Sequence, residues 1–156
     1  MDLVKLQSKG GAHRDVRKGI RGDRRSQSHH APSQAAIAGS NLPFKDAPGW
    51  RGDAPAVCMS RSDHQRTASF GGSNRSPYGP TGIPYKTLQI THLNKGEFFA
   101  AQNLDIGNIR DIAGARYETG IIQMRNYTIQ LVDKNPNLFK PQHQPINNFP
   151  PYRYET

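Results

Sequence analysis

The chain has 156 residues, of which 34% are hydrophobic, which leaves room for one domain with a small core. Its formal net charge of +9 suits a polyanionic partner, because each Lys or Arg that neutralises a phosphate releases a counterion. A single cysteine, Cys58, excludes an intramolecular disulfide framework and a cysteine-rich zinc ribbon, and no apolar run has the length of a membrane span or the order of a signal peptide. If the domain is exported, something outside this sequence carries it.

The positive field belongs to the first half: thirteen basic and six acidic residues lie up to Arg75, against eight and six after it. Residues 1–25 carry eight basic and three acidic residues and few large apolar ones, so they read as a basic, partly mobile arm with a short helical piece around residues 14–19. Residues 26–53 combine the pair His29-His30 with a small-residue stretch and a turn-rich run holding Pro43, Pro48, Gly49 and Gly52. They predict a short strand or loop, a brief helix and an irregular excursion. The run APAVCM at residues 54–59 has strand length, and residues 60–62 can cap a helix starting near Asp63, which places His64 in a helical first turn. Residues 70–84 are too rich in Gly and Pro for regular structure.

In the last third Leu88, Leu93, Phe98, Phe99, Leu104, Ile106, Ile109 and Ile112 recur at helical spacings, interrupted by Gly96 and Gly107, and predict two helices with a break. A third helix is predicted over residues 117–131. Five prolines from Pro136 onward predict an extended tail over residues 134–156, leaving residues 26–133 as the folded domain.

The constellation that carries chemistry is His29-His30, then the strand-length run, then Asp63-His64. Neutral imidazoles can hold a divalent cation, which offsets charge on a phosphate, while an unligated histidine takes a proton from water. Adjacent residues of an extended segment point to opposite sides, so one histidine of a pair can ligate while the other acts as base.

These residues resemble the SHH group of HNH/endonuclease VII nucleases, the C-terminal toxin domains of polymorphic bacterial secretion systems. The resemblance rests on HRDVRKG at residues 13–19, SHHAPSQAA at 28–36, APAVCMSRSDHQRTASFG at 54–71 and GEFFAAQNLDIGNIRDIAGARYETGI at 96–121. It implies that His29 and His64 are metal ligands and His30 the general base, with Asp63 either a further ligand or a group orienting an imidazole. The chain departs from the common HNH pattern: no obvious asparagine lies between the histidines, and no second histidine follows His64 by one helical turn. Gln65 and Thr67 are the nearby substitutes. The resemblance also implies delivery of a secreted effector, on a larger carrier polypeptide or delivery apparatus, into the cytoplasm of a rival bacterium, and a cognate immunity protein.

Arg21, Arg24 and Arg25 are read as phosphate-binding residues, and Arg61 and Arg66, which flank Asp63-His64, as catalytic arginines, against the bland reading of each as a solvated charge. His13, His92 and His143 read as surface or loop residues, Cys58 as a core residue, and Trp50, Tyr78 and Tyr85 as aromatics that stack on bases or, more commonly, pack. The fold expected is α+β: a small ββα-metal unit over residues 27–70, treble-clef-like, packed on a helical C-terminal third, with irregular terminal arms. The activity expected is metal-dependent hydrolysis of DNA with little sequence preference. The metal (Zn, Mg, Mn or Ni) stays open. The alternatives are a non-catalytic basic nucleic-acid-binding module, which would show salt-sensitive binding without cleavage, and a ribonuclease.

Overall fold

The computed structural model describes residues 9–72 and 83–141. Three strands, β1 (Gly10–Ala12), β2 (Ser26–His30) and β3 (Pro55–Ser60), form one antiparallel sheet in the order β1-β3-β2. Helix α1 (His13–Gly19) follows β1. Two short helices, α2 (Gln34–Ala38) and α3 (Trp50–Asp53), fill the long connection between β2 and β3, and α4 (Arg61–Gln65) follows β3 directly. The scaffold consists of α5 (Tyr85–Asn94), α6 (Phe98–Ala113) and α7 (Glu118–Lys134), so the molecule is α+β. Among the described residues no helix is long and apolar enough to cross a membrane.

Strand β3 is an unbroken apolar run because both of its faces are covered. Successive side chains point to opposite faces of a strand. Val57 and Met59 accordingly join a core with Ile106, Ile109, Tyr117, Ile121 and Met124, while Ala56 and Cys58 meet Val16 and Ile20 after the turn of α1. The strand ends at Ser60, whose hydroxyl accepts from the backbone N–H of Asp63 and so caps α4. Ser33 caps α2 in the same way through Ala36.

Residues 10–19 are therefore part of the sheet and its cover and not a loose arm. The apolar pair Val16 and Ile20, four residues apart among charges, is enough to seat α1 on β3. A backbone approach fixes the other side of β1: a Cβ on Gly10 would lie 1.9 Å from the carbonyl oxygen of Gly120 in α7, so neither chain has room for a side chain there.

The break between the first two scaffold helices falls at residues 95–97, with Gly96 at φ +76°. Gly107, expected to interrupt the pattern, lies inside α6. A second core joins Phe44, Trp50, Phe98 and Phe139, with Phe139 stacked on Phe44 at 4.8 Å and edge-on to Phe98 at 4.9 Å. The described start of the proline-rich segment is thus anchored by one buried ring, and the rest of that segment lies outside the described residues. Full burial of such a ring is worth roughly 1.5–3 kcal/mol, which an extended solvated tail would forgo.

The buried polar groups around Asp105 are paired. Asp105 accepts from Tyr85 Oη (2.5 Å) and from Gln89 Nε2 (2.7 Å), and Gln89 accepts in turn from Ser33 Oγ at 3.1 Å. Burial nonetheless pushes the Asp105 carboxyl up to about 7, against the pull of those donors. Tyr85 and Trp50 are packing residues, as their burial shows.

Candidate functional site

The alternation of β2 sorts its polar side chains onto two faces. Gln27 and His29 pair with Met59 and Val57, and Ser28 and His30 pair with Cys58 and Ala56. Side chains opposite one another across a ladder share a face. His29 and Gln27 therefore turn toward the scaffold side and meet His64 of α4, while His30 and Ser28 turn toward α1 and meet His13.

On the first face the His29 and His64 rings approach edge-on, with centroids 4.9 Å apart. His64 Nδ1–H donates to Gln27 Oε1 at 2.5 Å, which fixes the ring and leaves Nε2 with the lone pair. His29 is 3% exposed, and its Nε2 is buried with no hydrogen-bond partner. Burial, with His64 and His30 nearby, holds the His29 pKa well below its ordinary value; burial first and His30 second lower His64 to about 4. Both imidazoles are neutral at working pH.

On the second face His30 Nε2–H donates to the backbone carbonyl of Arg51 at 3.0 Å. A carbonyl only accepts, so the proton sits on Nε2 and Nδ1 keeps its lone pair. The His13 ring stacks on His30 at 3.9 Å with 30° between planes, and His13 Nδ1 shares a 2.8 Å hydrogen bond with Ser28 Oγ. Burial lowers His13 to about 4, with a smaller contribution from His30. Burial also lowers His30, partly offset by its bond to the Arg51 carbonyl.

The four histidines line one cavity of about 480 Å³, together with Ser28, Ser33, Arg51 and Phe70 among others. A larger cleft of about 1080 Å³ adjoins it, sharing His13, Ser28, Arg51 and His64 and extending past Arg14, Arg17, Lys18 and Arg21.

The structure thus brings His29, His30 and His64 together. It does not bring Asp63 to them. One position before His64 on a helix lies about 100° round the axis, and Asp63 points instead to Tyr117 Oη (2.6 Å), Arg116 (2.8 Å) and Arg66 (3.3 Å). Its carboxyl is held low, burial being outweighed by the donors Tyr117 and Arg116. Arg66 is occupied by that carboxylate, and Arg61 is exposed; neither lines the cavity. Arg21 lines the cleft, whereas Arg24 and Arg25 are absent from its wall and line a smaller hollow beside it with Asp23. Gln65 and Thr67 are absent from the cavity wall. His13 and Arg51, read from the sequence as a surface residue and part of a turn-rich loop, are site residues. Gln27 is a third, and its signal was available: it stands two before His29, on the same face of a strand.

The donor set for a cation is two imidazoles. Among the described residues no group of three or more His, Cys, Asp or Glu side chains is gathered to hold a metal ion. The Nε2 of His29 is buried without a partner and the Nε2 of His64 keeps its lone pair, so both nitrogens are chemically able to ligate a cation, whose remaining positions would fall to water and phosphate oxygens. Comparisons with protein-family models, with curated proteins and with solved structures find no match for this chain.

Proposed function

We propose that the protein is a metal-dependent endonuclease that hydrolyses phosphodiester bonds of DNA with little sequence preference. One observation carries the reading: a neutral imidazole pair suited to a cation and a third imidazole with a fixed free nitrogen line the same cavity, which opens on a basic cleft. The chain order strand, strand, helix of β2, β3 and α4, with histidines on the first strand and on the helix, is that expected of a ββα-metal unit.

His29 and His64 would hold the cation, with Gln27 orienting His64. When bound, a divalent cation supplies Lewis-acid stabilisation of charge on the phosphate and the leaving oxygen. His30 takes a proton from water at Nδ1 as the water oxygen bonds to phosphorus. The bond from phosphorus to the leaving oxygen breaks, and that oxygen is protonated from solvent. The Arg51 carbonyl sets the His30 tautomer, and the His13 ring limits the swing of His30 about that hydrogen bond. Asp63 is no part of this machinery; it ties α4 to Arg116 and Tyr117.

By resemblance of its motifs, the domain acts as the toxin end of an interbacterial effector, delivered to the target cytoplasm and neutralised by an immunity protein that covers the basic face. Purified protein incubated with supercoiled plasmid tests the activity. Nicking that EDTA stops and a divalent metal restores supports the reading; intact plasmid with every metal, or cleavage indifferent to EDTA, overturns it. An RNA substrate run in parallel separates the deoxyribonuclease from a ribonuclease.

A further inference from the structure

The cleft beside the histidine cavity has two basic walls. Arg17 and Lys18 project from α1, and Arg21 follows in the turn after it; Arg51, at the start of α3, stands at the junction with the cavity. All four are exposed, and among the described residues none of them makes an ion pair. Elsewhere Arg66 and Arg116 are tied to Asp63, Arg110 to Glu118, and Arg14, at the cleft edge, to Asp53, while exposed Arg24 and Arg61 also make no ion pair among the described residues but line neither the cleft nor the cavity. A solvated basic face has no reason to keep its unpaired charges in a concavity that leads to four histidines.

We infer that this cleft seats the phosphodiester backbone of the substrate, with Arg17, Lys18, Arg21 and Arg51 contacting phosphates and Arg51 nearest the bond that breaks. The assignment rests on the nuclease reading for its orientation toward the cavity. Arg51 serves twice. Its carbonyl holds His30, and its guanidinium, 4.5 Å from the centroid of the Trp50 ring, keeps its charge at the mouth of the cavity. A chain of phosphates fits these cations better than a membrane does, because they line a hollow and no apolar side chain but Ile20 lines it with them. Base edges find little to read there, in keeping with low sequence preference.

The test is fluorescence anisotropy of a labelled DNA duplex in EDTA, titrated with salt, for the wild-type chain, the single variants R17Q, K18Q, R21Q and R51Q, and the quadruple variant. Each duplex phosphate contact contributes about 0.9 to the slope of log affinity against log salt. The quadruple variant should lose about 3.6, worth about 150-fold in affinity between roughly 50 and 200 mM salt. Each single variant should lose about 0.9, and K134Q and K140Q, on the far helix and after it, should lose nothing. R51Q keeps its main-chain carbonyl, so its binding loss reports the guanidinium. Equal losses for cleft and control variants would reduce the cleft to diffuse charge and overturn the assignment. So would binding of phosphatidylglycerol vesicles or polyglutamate as sensitive to the four cations as DNA binding is. Since binding is read without metal, an absence of metal-restored plasmid cleavage with these slopes intact fails the nuclease reading alone, and metal-restored cleavage with flat slopes fails the cleft alone.

Discussion

Behind the cavity the Asp105 carboxylate is fully buried and accepts from Tyr85 and Gln89, whereas at the cavity wall His29 is almost as deeply buried and its Nε2 accepts nothing. The two groups lie on elements that touch, since Ser33, in the cavity wall, donates to the same Gln89 that serves Asp105. A buried polar atom without a partner costs about 1–3 kcal/mol. The Asp105 network avoids that cost and His29 bears it. The carboxyl of Asp105 is satisfied from within, and the His29 nitrogen is left open, as the proposed role of metal ligand requires.

Breaking the satisfied side should have the largest effect on stability. Asp105→Ala strands the Tyr85 hydroxyl and the Gln89 amide in the core and should cost about 2–4 kcal/mol in denaturant unfolding, while activity per folded molecule stays near wild type. Loss of activity without loss of stability would move Asp105 into the site. On the open side, His29→Leu removes the unpartnered nitrogen and should leave the unfolding midpoint in EDTA equal or higher. A divalent metal at a hundred times its dissociation constant should stabilise the wild-type chain by about 2.7 kcal/mol and the variant not at all. A destabilised His29→Leu in EDTA would show that His29 has a structural partner.

Smaller effects sharpen the comparison. His13→Ala removes the ring stacked on His30 and should lower kcat about tenfold, about 1.4 kcal/mol in the barrier, with KM unchanged; His13→Phe, which keeps a ring, should recover most of it. Equal losses in the two variants would give the chemistry to a His13 nitrogen. The pH dependence of stability should show opposite signs in the two regions. His13, lowered from 6.5 to about 4, binds fewer protons folded than unfolded in that window, so its contribution is lost as pH falls from 6.5 to 4. Asp105, raised from 3.8 to about 7, holds a proton that the unfolded chain has released, so its contribution is lost as pH rises from 3.8 to 7. His13→Phe and Asp105→Asn should flatten the stability profile in these opposite senses, which urea titrations at successive pH values would measure.

Much of this architecture was legible in the sequence. The run 54–59 has the length and chemistry of a buried strand, Ser60 caps the helix after it, and the apolar spacing after Leu88 gives the helices. The part that stayed hidden was mostly register. Nothing local says that residues 10–12 pair with β3, or that the pleat puts Ser28 and His30 against His13. Asp63 and His64 are neighbours in sequence but about 100° apart round a helix, so the carboxylate that reads as a ligand reaches Tyr117 and Arg116, more than fifty residues away in sequence. Main-chain groups carry no sequence signal, which is why the Arg51 carbonyl that orients His30 appears only in three dimensions.

Calorimetric titration of a divalent metal into the wild-type chain, His64→Ala and His30→Ala, with plasmid cleavage measured on the same samples, tests the division of labour between the two faces of β2. His64→Ala should lose both metal binding and cleavage, and His30→Ala should bind metal as the wild-type chain does while cleavage falls by roughly 10²–10⁴-fold. Metal binding lost with His30, or cleavage surviving without it, would contradict the account.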